Sequence, residues 1–128
     1  MAFPTVRHRR LRRSAALRSM VRETAISADD FIMPIFVTYG EGVKTEISSM
    51  PGVYNFSLDT IKAEVDEIVE VGIKAVILFG IPETKDSVGT GAYAQDGIVQ
   101  QATRQITAWY TDLLVVADSC LCEFTDHG

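Results

Sequence analysis

Histidine is nearly missing from this sequence: only His8 and His127 occur, one close to each end. Two such terminal imidazoles give no Ser/His/Asp set, so nucleophilic hydrolysis of that type is excluded as a reading. Long apolar runs are missing too. The longest, Ala75–Phe79, is strand-sized and far short of the roughly 18 to 20 residues that a membrane-spanning helix needs. No apolar stretch of secretory type opens the chain, so disulfides are not the default state of its two cysteines, Cys120 and Cys122. The glycines at 80, 89, 91 and 97 lack dinucleotide-binding spacing and read as loop residues. With 128 residues the chain can form one ordinary domain. It is short of the about 250 residues of a complete (β/α) barrel.

Acids are absent from the first 22 positions, which carry Arg7, Arg9, Arg10, Arg12, Arg13, Arg18 and Arg22. The remainder holds five bases against all 17 acids, a balance of −12 that the overall −5 conceals. A positive arm on a negative body suits docking on the acidic surface of another copy. Nucleic acid is not the expected partner, because no aromatics interleave the arginines for base stacking and the body is acidic. No membrane partner is expected either. An acid-free, Arg-rich start also resembles an organelle transit peptide, so organelle import stays open beside a cytoplasmic location.

From Phe31 onward, strand and helix patterns alternate. Residues 31–38 (FIMPIFVT) read as a strand, with Pro34 requiring an edge position or local irregularity because proline cannot donate to a ladder. Residues 39–53, with Gly40, Gly42 and Met50-Pro51-Gly52, read as a loop. Ser57 is expected to cap a helix whose stripe is Leu58, Ile61, Val65, Ile68 and Val69, ended by Gly72. Residues 74–81 (KAVILFGI) read as a strand buried on both faces, and 82–95 as a loop. Asp96 is expected to cap a second helix through Tyr110, with Ile98, Val99, Ala102, Ile106 and Trp109 inward. Residues 113–117 (LLVVA) read as the third strand. The order βαβαβ implies parallel pairing through right-handed crossovers. It places Thr38, Phe79–Ile81 and Asp118–Cys122 at the working end of the sheet.

If the segment after the third strand stays extended, Asp118, Cys120 and Cys122 point the same way. Two thiols on one face suit a soft or borderline ion such as zinc, but a structural site takes four ligands and a catalytic one usually three. Glu123, Asp126 and His127 are the nearby donors. The alternative reading is two small residues buried at a strand end. Lys44, Lys62, Lys74 and Lys85 lie in loops or on a helix. None has the desolvated setting that a Schiff-base lysine requires.

Taken in order, several segments resemble one family, the porphobilinogen synthases (5-aminolevulinate dehydratases). They are Arg9–Ser14 with Ala16-Leu17-Arg18, Met33–Val37, Ser49–Val53, Leu78–Pro82, Asp86–Tyr93, Asp96-Gly97 and Asp118–Gly128. The resemblance implies the N-terminal part of a TIM (β/α)8 barrel, with about three strands present. An extended basic arm at 1–30 would serve subunit contacts, and 31–128 would be an incomplete barrel. It implies a lyase of tetrapyrrole and heme biosynthesis. That enzyme condenses two molecules of 5-aminolevulinate into porphobilinogen through a Schiff-base lysine and zinc, and assembles as a homo-octamer through its arm. Cys120 and Cys122 match the first two of three metal cysteines, with Asp118 as active-site support. The third cysteine, the catalytic lysines and a magnesium site are expected beyond Gly128, so this chain alone is expected to be inactive. His8, Thr111 and Asp126 depart from the family's usual proline, proline and serine. The alternative reading is a non-catalytic interaction module that docks through the arginine-rich arm.

Overall fold

The computed structural model describes Thr5 and residues 9–128; Arg7 and His8 lie outside the described residues. Residues 9–30 begin with a 3-10 turn at Arg10–Arg12 and a short helix, α1 (Ala15–Met20), whose start is capped by Ser14 Oγ accepting from the Leu17 amide at 3.1 Å. Neither element buries a residue. A capping box between Ser27 and Asp30 closes the arm, and Lys74 Nζ pairs with Asp29 at 2.6 Å where it reaches the body.

The body is one five-stranded sheet in the order β2-β3-β1-β4-β5. Its strands are β1 (Met33–Thr38), β2 (Lys44–Glu46), β3 (Tyr54–Phe56), β4 (Ala75–Ile81) and β5 (Leu114–Ala117). All pairs are parallel except β2 with β3. Two helices make the crossovers: α2 (Ile61–Glu70) leads into β4 and α4 (Ile98–Trp109) into β5. A short helix, α3 (Thr90–Tyr93), lies in the loop between β4 and α4. The expected βαβαβ order therefore stands, as does the fold class.

Several local expectations are corrected. The segment 39–53 is not all loop, because Lys44–Glu46 pairs with Tyr54–Phe56 and adds two strands to the expected three. β1 is not an edge strand, yet β3 reaches it only at Phe36 and Val37. At Pro34 the strand has a neighbour on one side alone, which is how the proline is tolerated. Ser57 is not the cap of α2. The helix starts at Ile61, and the hydroxyl of the fully buried Ser57 instead accepts from the Val43 amide at 2.8 Å and donates to Asp59 at 2.5 Å. Asp96 caps nothing with its side chain; Gly97 holds the N-cap position of α4.

Other expectations hold with their physics intact. Gly72, at φ +87°, stops α2: its amide donates to Val69 O and that of Ile73 to Ile68 O, the paired bonds of a Schellman ending. Ile61, Val65 and Ile68 of α2 and Ile98, Ala102 and Ile106 of α4 are buried against Ile35, Val37, Val76 and Leu78. Val69, expected in the stripe, is 37% exposed, because at about 100° per residue it stands at the edge of the face that Ile61, Val65 and Ile68 centre.

The strand at 74–81 was expected to be buried on both faces, but among the described residues the helices cover only one face of the sheet. Alternate side chains point to the other face. There Pro34, Phe36, Ile77, Phe79 and Val116 remain half-buried and Ile81 and Leu114 exposed. The rings of Phe36 and Phe79 stack on this face with centroids 5.3 Å apart.

Candidate functional site

Parallel strands bring their C-terminal ends to one rim. Here the rim is Thr38, Ile81 and the residues after Ala117. The Asp118 amide still donates to Leu78 O at 3.2 Å, which extends β5 by one rung. The segment then leaves the extended path. The amides of Phe124 and Thr125 both donate to Leu121 O, at 2.9 and 3.0 Å, and curl residues 121–125 into a turn. The expected extended presentation of Cys120 and Cys122 is thus replaced by a turn. Its cause is Phe124, 6% exposed, whose ring packs over Gly80 and Gly91. A Cβ at either glycine would sit 3.1 Å from that ring.

Both cysteines are free and exposed, so they are not two small residues buried at a strand end. They remain neighbours despite the turn. The Cys122 thiol is pushed above its ordinary value, first by its hydrogen-bonding interaction with the Cys120 thiol, then by partial desolvation and by the charges of Cys120 and Glu123. Burial pushes the Glu123 carboxyl up, and the nearby Asp118 carboxylate adds to it. Asp118 is half-buried at the foot of this group. A cleft of about 550 Å³ opens beside it, lined by Tyr93, Gln100, Arg104, Asp118, Cys120 and Phe124 among others.

The other donors near the end of the chain turn elsewhere. His127 Nε2 lies 3.3 Å from Ser87 O, and the Asp126 amide donates to Asp86 O. Among the described residues, no three His, Cys, Asp or Glu side chains gather as a metal-binding group. What the rim offers is two adjacent, solvent-accessible sulfur donors. That chemistry suits two members of a soft or borderline ligand set, not a finished one.

All four lysines are exposed, as the sequence reading held, although Lys44 lies in β2 and not in a loop, and each has a partner. Lys44 lies over the rings of Tyr54 and Phe56, Lys62 pairs with Asp66 at 2.8 Å, and Lys74 pairs with Asp29. Lys85 Nζ donates to Cys122 O at 3.3 Å. Sequence reasoning missed that last contact and its neighbour Asp86. The Asp86 carboxylate accepts from the amides of Val88 and Thr90, at 3.0 and 3.1 Å. An aspartate shortly before Gly89, which sits at φ +64°, was the available signal for such a turn.

A model of the delta-aminolevulinic acid dehydratase family matches residues 5–128. The chain is 63% identical over 122 residues to the delta-aminolevulinic acid dehydratase of Halalkalibacterium halodurans, covering 95% of this chain and 37% of that one. It is 55% identical to the Staphylococcus aureus dehydratase over 95% of this chain and 38% of that protein. In structure it is similar, at a TM-score of 0.86 and 31% identity, to crystalline delta-aminolevulinic acid dehydratase (porphobilinogen synthase) from Toxoplasma gondii ME49 in complex with the reaction product porphobilinogen. That match covers 94% of this chain and 35% of the other. The chain thus spans little more than a third of the length of these relatives. A match running nearly end to end does not favour a separate interaction module. With the family model matching almost the whole of it, the chain belongs to the delta-aminolevulinic acid dehydratase family.

Proposed function

We propose that this chain supplies the thiol part of the metal centre of a barrel enzyme that condenses two molecules of 5-aminolevulinate into porphobilinogen with loss of water. The observation that carries the reading is the adjacent Cys120–Cys122 pair at the C-terminal end of β5, in a chain 63% identical to a dehydratase. Zinc, when bound, supplies Lewis-acid chemistry. Cys120 and Cys122 are its residues in this chain, and a third donor completes the set from outside the described residues. The raised Cys122 thiol keeps its proton in the absence of metal. Binding therefore displaces protons and strengthens as pH rises. Asp118, half-buried beside Glu123, supports the site by fixing the negative potential at its foot.

All four lysines are exposed, and Schiff-base formation needs an amine held in a desolvated site. That step belongs to a lysine supplied by the rest of the barrel. Residues 1–30 serve as an arm for contacts between copies in a homo-octamer. The exposure of Leu11, Met20, Val21 and Ile26 supports this, because an arm none of whose described residues is buried on its own body gains burial on another. Free, exposed thiols suit a reducing compartment such as the cytoplasm. No helix among the described residues is long and apolar enough to cross a membrane.

The test is direct. The purified 128-residue chain should bind zinc through its thiols, lose that binding in Cys120→Ala and Cys122→Ala, and form no porphobilinogen from 5-aminolevulinate. Product formation by this chain would overturn the assignment of the Schiff-base step elsewhere. Zinc binding that survives both substitutions would overturn the role of the thiols.

A further inference from the structure

We propose that Lys85 and Asp86, in the loop between β4 and α4, are positioning residues that hold the Cys122-bearing turn in place and so set the spacing of the two thiols. The naming of zinc as ligand rests on the function proposed above; the positioning itself does not.

Apart from the buried Phe124 ring, the turn has few anchors of its own. Its internal bonds all converge on Leu121 O, from the Phe124 and Thr125 amides and from Thr125 Oγ1. Beyond them, the described main-chain bonds of residues 122–127 run to this loop. The Asp86 amide donates to Phe124 O at 3.2 Å, and the Asp126 amide donates to Asp86 O at 3.1 Å. Together they make a parallel bridge between Asp86 and Thr125. Lys85 Nζ reaches Cys122 O at 3.3 Å, on the thiol-bearing residue itself.

The bridge is only as firm as the loop that offers it. Between Pro82 and Gln95 the described loop contains one short helix, α3, whose N-cap Gly89 has no side chain to bond the free amides. The Asp86 carboxylate takes that place by accepting from Val88 and Thr90. One side chain therefore folds the loop, and the same residue's backbone grips the turn. Without the carboxylate, two amides lose their acceptor, the loop gains freedom, and the Cys122 end of the thiol pair gains it too. A two-sulfur site that must first be ordered binds an ion more weakly than one already in place. Partners just outside a ligand set typically set 10- to 100-fold in metal affinity, by order of magnitude.

The experiment uses the 128-residue chain with Asp86→Ala, Asp86→Asn and Lys85→Met. Zinc affinity is measured by competition with a chromophoric chelator, and amide hydrogen exchange is followed at Phe124, Thr125 and Asp126. A metal-free reading comes from the Cys120–Cys122 dithiol–disulfide equilibrium against a glutathione redox buffer, which reports how close the two sulfurs are held. In Asp86→Ala we expect zinc affinity to fall about tenfold, exchange at Asp126 to quicken, and the disulfide to become harder to form. Asp86→Asn, which keeps an acceptor of the same shape, should restore all three. Lys85→Met should weaken zinc binding without altering the loop amides, and it serves if Asp86→Ala does not fold. Unchanged affinity and unchanged disulfide equilibrium in a loosened Asp86→Ala would overturn the proposal. So would an Asp86→Asn variant that behaves like Asp86→Ala. A wild-type chain that binds no zinc would remove the metal reading alone, because the disulfide equilibrium still decides the positioning.

Discussion

Gly80, in β4, is the position where the geometry makes the sharpest demand on residue size. Its backbone is not in the left-handed region, so an alanine there carries no conformational penalty. The penalty is steric: the added Cβ would lie 2.6 Å from Val99 Cγ2, 3.2 Å from Ile98 Cγ2 and 3.1 Å from the Phe124 ring. The first distance is closer than carbon atoms approach without something moving, and all three neighbours are buried. Overpacking of this kind costs about 1–3 kcal/mol. Gly80→Ala should therefore lower the unfolding free energy by that amount, read as a lower urea midpoint at an unchanged slope. It should also push Phe124 outward and disturb the turn that carries Cys122. The decisive measurement is a double-mutant cycle with Val99→Ala, which alone opens a void and costs about 1–2 kcal/mol. In Gly80→Ala/Val99→Ala the new methyl occupies the space left by the old ones, so the pair should be less destabilised than the two single changes combined, by about 1 kcal/mol. Additive effects, agreeing within about 0.5 kcal/mol, would show that α4 moves away freely. The reasoning from packing at this rim would then be wrong.

Other outcomes follow from single contacts. Ser57→Ala leaves the Val43 amide without its hydroxyl acceptor in a buried setting, and should cost about 1–3 kcal/mol in urea unfolding. The Asp59 carboxyl is held below the ordinary value of 3.8, first by the Ser57 hydroxyl and then by the Gly42 amide. A carboxyl lowered by folding stabilises above its unfolded pKa and loses that contribution as pH falls through the folded value. Unfolding midpoints should thus be flat near neutrality and decline below about pH 4, and Asp59→Asn should shallow that decline. Tyr110→Phe removes an exposed hydroxyl that donates to Asp66 beside Lys62. The Lys62–Asp66 pair survives it, so the loss should stay under about 1 kcal/mol by thermal unfolding.

The helices and long strands were legible because their burial follows one period over enough residues. Ile61, Val65 and Ile68, and Ile98, Ala102 and Ile106, repeat as a helix must. The β2–β3 hairpin was not legible for the opposite reason. Lys44–Glu46 is three residues, all exposed, with no apolar alternation, and it is a strand only because Tyr54–Phe56 lies beside it. Ser57 misled because its hydroxyl has other partners in the folded chain, the Val43 amide and Asp59, and Asp96 misled because α4 begins one residue later, with Gly97 as its N-cap. Spacing alone put the two thiols on one face of an extended segment, whereas the chain turns at residues 121–125. Spacing carries no information about Phe124, whose burial against distant glycines bends the segment. Asp86 and Lys85 were invisible as partners of that segment because their contacts bridge roughly forty residues of sequence.

The two ends of the sheet differ in what they can join. On one side β2 is short and polar, with every residue exposed and two of its three charged, which discourages any further strand. On the other side β5 offers an apolar outer edge free of proline, with every second amide turned to β4, as that of Leu114 is in donating to Lys74 O at 2.9 Å. A second vacancy exists inside the sheet, where β1 has one neighbour along Met33–Ile35, but that stretch is three residues and one is Pro34. A curved sheet closes only by joining two such vacancies, and these two are unequal in donors. Growth of this sheet is therefore polar, favoured outward from β5, with the proline-bearing gap in β1 as the seam where a closing strand would finish.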